Sequence, residues 1–169
     1  MVWYRSFLAR VRTGRSATRK RRGATAVEMA LIAPVFFLFL IGITEITMML
    51  TAQQLLENAA YNASRLAKTG FVTAGQNQMQ TVSQILITEL QSFGTFIDTS
   101  KVVMTETSYN SFSSIGAGGT AGMGTAQQIV VYTFTYPWKL FTPMMSALIG
   151  TNGIINLTSR IVVRNEPYS

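Results

Sequence analysis

The sequence contains no cysteine and no histidine. Without cysteine, the chain can form no disulfide bonds, thiolate nucleophiles or cysteine-ligated metal sites. Without histidine, it also lacks the commonest general base and the commonest metal ligand. These two absences exclude Ser-His-Asp hydrolysis and most zinc sites.

Charged residues are scarce and unevenly placed. They make up 12% of the chain, whereas about 25% is usual in soluble domains. Eight of the 14 Lys and Arg residues lie in residues 1–22, and no acidic residue precedes Glu28. A basic arm that leads directly into an apolar run is typical of a cytoplasmic flank that fixes membrane orientation. We prefer this interpretation to nucleic-acid binding.

A long uncharged run follows the basic arm, from Met29 to Thr44. A helix from Met29 to Leu50 would extend about 33 Å, and the hydrocarbon core of a bilayer is about 30 Å thick. Residues 35–41 are apolar on every face, which disfavours the core helix of a soluble protein. No A-x-A site follows the run, which disfavours a cleaved secretory signal. We predict a membrane-spanning helix that Pro34 bends or loosens.

The helical pattern continues beyond this run. Apolar residues recur at helical spacing up to Ala67, polar residues occupy the other side, and Gly70 is a typical helix stop. We therefore predict one continuous helix from about Ala24 to Thr69. Its first half is apolar and its second half amphipathic, so the second half must pack against a folded domain.

The remaining sequence shows both helical and strand periodicity. The predicted elements are a helix over residues 76–93, strands over 101–109, 127–136 and 155–164, a flexible loop over 111–124, and one or two helical turns over 141–149. Pro137-Trp138 is expected to end the second strand.

These patterns predict an α+β fold. A long N-terminal transmembrane helix continues into an amphipathic half, and a second helix and a small antiparallel β-sheet of about three strands follow it. The expected domains are a basic cytoplasmic leader (1–23), a transmembrane helix with an extracytoplasmic extension (24–70) and an extracytoplasmic α+β domain (71–169).

No motif in the chain indicates catalysis. Gly116 to Ala121 fits G-x-G-x-x-A, but the strand and helix that a dinucleotide site needs are missing around it. Glu89, Asp98, Glu106 and Glu166 show no spacing that suggests acid-base pairing. We predict no catalytic residue, cofactor or metal site, and interpret these carboxylates as solvated surface charges.

Two other carboxylates flank the apolar run, Glu28 at its entrance and Glu45 near its exit. A carboxylate deep in a membrane costs about 2–3 kcal/mol on insertion scales, so it is normally there for a partner. One interpretation of Glu28 is an interfacial charge near the headgroups. In the other, a cut between Gly23 and Ala24 creates an amine one helical turn before Glu28. That amine could pair with the carboxylate within the chain or in a neighbouring subunit.

The start of the apolar helix resembles the processing signature of type IV pilin-like proteins. This signature consists of a basic cluster, then Gly and Ala, then a Glu at the entrance of an apolar helix. The further match is to the TadE-like family, the minor pilins (pseudopilins) of the tight-adherence pilus. The segments that carry it are RRGATAVE (21–28), LIAPV (31–35), GITE (42–45), AQQ (52–54), NAA (58–60) and SRIVVRNEP (159–167). The similarity is strong over residues 20–69 and weaker over 127–167. Met29 and Ile46 stand where the family often has aromatic residues.

The resemblance implies roles for individual residues. Gly23 would precede the cut made by a prepilin peptidase, Ala24 would become the new N-terminus, and Glu28 would be the processing or assembly carboxylate. Glu45 matches a family position, where we expect an intramembrane polar group that packs against a neighbour.

The resemblance also implies partners and a location. The partners would be a prepilin peptidase, other pilins and minor pilins, an inner-membrane pilus assembly platform and membrane lipid, with no nucleic acid. The chain would cross the bacterial inner membrane once, with a cytoplasmic N-terminus and a periplasmic or extracellular C-terminal domain, and would join the pilus after processing.

Two functions fit the sequence. One is a minor pilin that is cleaved after Gly23 and acts in pilus assembly, adhesion and surface attachment. The alternative is an uncleaved, membrane-anchored extracytoplasmic scaffold or binding protein. Only the pilin should depend on Gly23.

Overall fold

The computed structural model describes residues 15–149 and 152–167. The predicted basic leader, residues 1–23, therefore lies partly outside the described residues. Contacts divide the chain into two compact units, Met1–Thr44 and Glu45–Ser169, and each is described by itself.

A single long helix, α1, runs from Arg15 to Ala67 through 53 residues. It begins earlier than the predicted start near Ala24, because the preceding residues include Arg, Lys and Ala, which favour a helix. The helix continues through Pro34 without ending there.

In the first unit, α1 exposes nearly all its apolar side chains. They are Val27, Met29, Leu31, Ile32, Val35, Phe36, Phe37, Leu38, Phe39, Leu40, Ile41 and Ile43. By length and composition the helix is able to cross a membrane. Its most apolar 18-residue segment has a mean hydropathy of 2.4, and only 6% of that segment is buried. One long apolar N-terminal helix fits a single-pass membrane anchor.

The second unit joins the rest of α1 to two further helices and four described strands. In chain order the elements are α2 (Gln78–Ser92), β1 (Val103–Tyr109), β2 (Thr120–Ala121), β3 (Ile129–Lys139), α3 (Pro143–Leu148) and β4 (Ile154–Arg164). The strands form an antiparallel sheet in the order β2-β1-β3-β4. The predicted α+β class is confirmed.

Small side chains on α1 allow this helix to enter the core of the second unit. Its buried face consists of Ala52, Leu56, Ala59, Ala60, Ala63 and Ala67. The inner face of β3 supplies Val130, Tyr132, Phe134, Tyr136 and Trp138, and α2 supplies Val82, Leu86 and Leu90 to the same apolar cluster. The helical spacing on α1 and the period-two spacing on β3 were both visible in the sequence.

Side-chain caps fix the start of α2. Asn77 accepts the backbone N–H of Gln80 at 2.8 Å, and the Gln80 side chain accepts the N–H of Asn77 at 2.9 Å. This capping box satisfies two donors that the first turn of a helix leaves free. Gln78 also donates to the carbonyl of Ala67 at 2.8 Å, which ties α2 to the end of α1.

The predicted loop over residues 111–124 is partly ordered into a strand. Within it, β2 pairs with β1, and the Ser108 hydroxyl donates to the carbonyl of Thr120 at 3.0 Å. A Cβ on Gly119 would collide with the side chains of Thr107 and Tyr109. Gly119, in a stretch that was expected to be a flexible loop, therefore allows the chain to approach β1 closely.

Pro137 does not end β3, contrary to the sequence prediction. The strand continues to Lys139, and Pro137 pairs with Asn156 of β4. Leu140 donates its N–H to Gly153 on the β4 side, at 2.9 Å. Backbone nitrogens point to opposite sides of a strand at successive residues, so the nitrogen of Pro137 faces away from β4. On that side β1 has already ended. The missing N–H therefore breaks no ladder bond.

Candidate functional site

Glu45 is the most buried charged residue in the described part of the chain, with 1% of its surface exposed. Its carboxylate accepts the backbone N–H of Phe141, and it accepts the N–H of Thr142 at 3.3 Å. The Thr142 hydroxyl also donates to it, at 2.5 Å. These three donors lie in the same chain, so the structure accounts for the burial of Glu45 without a second subunit.

The segment that holds Glu45 is the connection between β3 and β4. Thr142 is the N-cap of α3, its hydroxyl accepts the N–H of Met145 at 3.3 Å, and Pro143 occupies the first turn. A Thr-Pro pair is a common helix start, because proline has no N–H to leave unpaired. The hydroxyl of Thr142 therefore serves α3 and Glu45 at once.

A glycine closes this connection on the other side. Gly153 has a φ of +72°, and a Cβ there would collide with the side chain of Ser146. Another residue would be strained by its conformation and would also push against α3. We call residues 141–149, which this glycine packs against, the hairpin tip.

Helix α1 and β4 run side by side in the same direction from the hairpin tip. Beyond Glu45, the Gln53 side chain donates to the carbonyl of Thr158 at 3.1 Å. At the far end, Glu166 donates its N–H to the carbonyl of Lys68 at 2.8 Å. Near its start in the second unit, α1 therefore contacts the residues just before α3, and further along it contacts β4. The residues just beyond the ends of α1 and β4 then pair with each other.

The residues at the predicted cleavage position lie in the first unit. Gly23, Ala24 and Glu28 are all exposed and all helical. Among the described residues, nothing lies within 4 Å of the Cβ that another residue would place at Gly23. Ala24 and Glu28 are one helical turn apart, as the spacing predicted.

The other charged groups lie on the surface of the second unit. Lys101 donates to Asp98 at 2.8 Å, and this contact lowers the pKa of Asp98 to about 2. Burial raises the pKa of Glu106, which is half-buried on β1. In the described residues, no three His, Cys, Asp or Glu side chains come together as a metal site would require.

The sequence identified Glu45 but not the residues that bind it. Phe141 and Thr142 lie 96 and 97 residues further along the chain. The only local signal was the Thr-Pro helix start, which indicates a cap but says nothing about which helix it meets. Packing against a neighbouring subunit stays a prediction for Glu45.

Residues 23–65 match a family model described as TadE-like protein. This part of helix α1 is similar to that family. The resemblance seen in the sequence is confirmed over these residues, and the matched TadE-like segment begins at Gly23 and includes Ala24, Glu28, Pro34 and Glu45. No curated protein and no solved structure matches the chain.

The TadE-like match covers 43 of the 169 residues, all within helix α1. It covers the helix that is able to cross a membrane and the part of α1 that packs in the second unit. It ends before α2 and the sheet, so the fold of the remaining residues is described from their own contacts.

Proposed function

We propose that this TadE-like chain is a minor pilin or pseudopilin of a tight-adherence pilus, cleaved after Gly23 by a prepilin peptidase. It acts in pilus assembly, and so in adhesion and surface attachment, as a structural subunit without catalysis of its own. The observation that carries this proposal is the family match, which begins at the glycine of the predicted cut.

The surroundings of Gly23 support the cleavage step. A glycine inside a helix costs about 1 kcal/mol relative to alanine. Here no close contact among the described residues calls for it, since a Cβ would meet nothing within 4 Å. Recognition by a peptidase supplies a reason for glycine that the fold of this chain does not.

The exposed position of Glu28 supports a role in assembly. A cut after Gly23 places the amine of Ala24 about one turn from this carboxylate. The amine and the carboxylate of adjacent subunits then attract each other among apolar helices, where charges are weakly screened. The partners are other pilins, the peptidase, membrane lipid and the inner-membrane assembly platform. The leader stays in the cytoplasm and the C-terminal domain is periplasmic or extracellular.

The test is the N-terminal sequence of the protein from its native membranes. We expect the wild-type protein to begin at Ala24. Gly23→Arg should leave the leader attached, because a long charged side chain replaces the hydrogen of the residue before the cut. Gly14→Arg is the matched control, since it adds the same charge to the leader and should mature normally.

The same experiment separates the two functions. A wild-type protein that begins at Met1 in cells with an active prepilin peptidase would favour the alternative, an uncleaved anchored scaffold. Equal mature sizes for the wild-type and Gly23→Arg proteins would refute cleavage at this position.

A further inference from the structure

The hairpin tip has an unusual surface for an extracytoplasmic domain. Its α3 segment exposes Phe141, Met144, Leu148 and Ile149, with Phe141 63% and Leu148 74% exposed. No charged residue occurs in the sequence from Leu140 to Ser159. An exposed apolar patch without charges costs free energy in water and usually has an apolar partner.

Glu45 fixes where this surface lies along α1. The uncharged run of α1 ends at Thr44, and Glu45 is the next residue. Because its carboxylate binds the N–H groups of Phe141 and Thr142, the tip lies at the level of Glu45. A helix that spans the bilayer with its uncharged run therefore places the tip at the membrane boundary.

The surface of α1 next to this level is also apolar. Ile46 and Leu50 are exposed on the helix just beyond Glu45. The side chain of Lys139, at the base of the tip, is exposed as well. An apolar surface with a basic residue at its edge matches the boundary between acyl chains and headgroups, where lysine keeps its amine in the polar layer.

Phe141 is held with its ring outward by an aromatic neighbour. Its ring packs edge-on against Trp138, with 5.7 Å between the ring centroids. Trp138 is buried in the core cluster, so it provides a fixed support. The exposed ring is thus a rigid feature of the tip, suited to insertion at low cost in side-chain entropy.

We propose that the hairpin tip, residues 141–149, inserts into the lipid interface and seats the second unit on the membrane. The occupant of the apolar surface is the headgroup and acyl boundary of the bilayer. Glu45 acts as a positioning residue that holds the tip at that depth. This inference rests on the membrane span and not on cleavage after Gly23.

Spin labels on the full-length protein test the proposal. The chain has no cysteine, so each single-cysteine variant carries one label. The labelled variants are Phe141→Cys and Leu148→Cys at the tip, with Phe112→Cys as the matched control. Phe112 is also 63% exposed, but it follows β1 at the end of the sheet far from the tip.

The readout is the collision rate of each label with oxygen, which concentrates in lipid, and with a water-soluble nickel chelate. In vesicles of phosphatidylethanolamine and phosphatidylglycerol, we expect the oxygen-to-nickel ratio to be several-fold higher at both tip positions than at the control position. A label at 141 or 148 that collides with nickel as often as the label at 112 would overturn the proposal. A tip label shielded from both reagents would also overturn it, because a second protein copy would then cover the surface.

Discussion

At the scale of single residues, Glu45 shows why a carboxylate beside a membrane helix need not point to another subunit. Its oxygens accept two backbone N–H groups and one hydroxyl from the hairpin tip. Hydrogen bonds to a carboxylate are stronger than those between neutral groups, and a buried donor that loses its acceptor is costly. Within the second unit, the residue joins α1 to the connection between β3 and β4.

Replacing Glu45 by alanine should loosen the tip without unfolding the sheet. The N–H groups of Phe141 and Thr142 would lose their acceptor, at a cost of about 2 kcal/mol, which is roughly a 30-fold faster amide exchange. Hydrogen exchange with mass spectrometry on the full-length protein in detergent would measure this over residues 141–146. Glu57→Ala, an exposed glutamate on the same helix, should leave that peptide unchanged. Unaltered exchange in Glu45→Ala would contradict the assigned contacts.

Glu106 gives a second prediction, which concerns pH. Burial raises the pKa of this carboxyl from its ordinary value of 4.5, so folding favours the protonated form. The contribution of Glu106 to stability is complete at low pH and is lost as the pH rises through its raised pKa. Glu106→Gln should therefore raise stability at neutral pH by a few tenths of a kcal/mol. The gain should vanish below about pH 4 in urea titrations, and a gain that is larger in acid would contradict the sign.

At the scale of elements, the spacing of apolar residues predicted which faces of the helices and strands are buried. The apolar spacing of α1 and the alternation of Val130 and Tyr132 on β3 predicted buried faces that the structure confirms. On α2 only the middle of the apolar stripe is buried, because Met79 and Phe93 at its two ends are exposed. Two features of the sheet were not predicted, because they depend on which strand lies beside the residue. Pro137 remains in a strand because β1 has already ended beside it, and β2 forms because Gly119 lets the chain approach β1. Neither circumstance is visible in the local sequence.

The alanine face of α1 makes a prediction at this scale. Ala63 is fully buried, whereas the neighbouring Asn62 is exposed. Ala63→Leu would overfill the helix–sheet contact and should cost about 1–3 kcal/mol of stability. Asn62→Leu introduces the same side chain on the outer side and should change stability by less than about 0.5 kcal/mol. Thermal unfolding of the two variants in detergent would compare them, and equal effects would show that this face is not tightly packed.

At the scale of the whole molecule, the proposed pilin function predicts that Glu28 is needed for pilus assembly but not for insertion of the chain into the membrane. Glu28→Ala should leave membrane insertion intact, because removing a charge from the edge of an apolar helix does not hinder its transfer into lipid. It should reduce piliation, because the amine of Ala24 loses its proposed partner. Membrane fractionation and pilus counts by electron microscopy measure the two effects, with Glu57→Ala as control. Normal pili from Glu28→Ala would remove the pairing argument.

The arrangement of α1 and β4 has a mechanical consequence. A tension applied along the helix would load the contacts at Gln53 and Lys68 together, because α1 and β4 run in the same direction and are bonded at both places. Such a joint is sheared as a whole and cannot be opened one contact at a time. A subunit pulled through its N-terminal helix would thus transmit the load to the sheet before the helix could peel away.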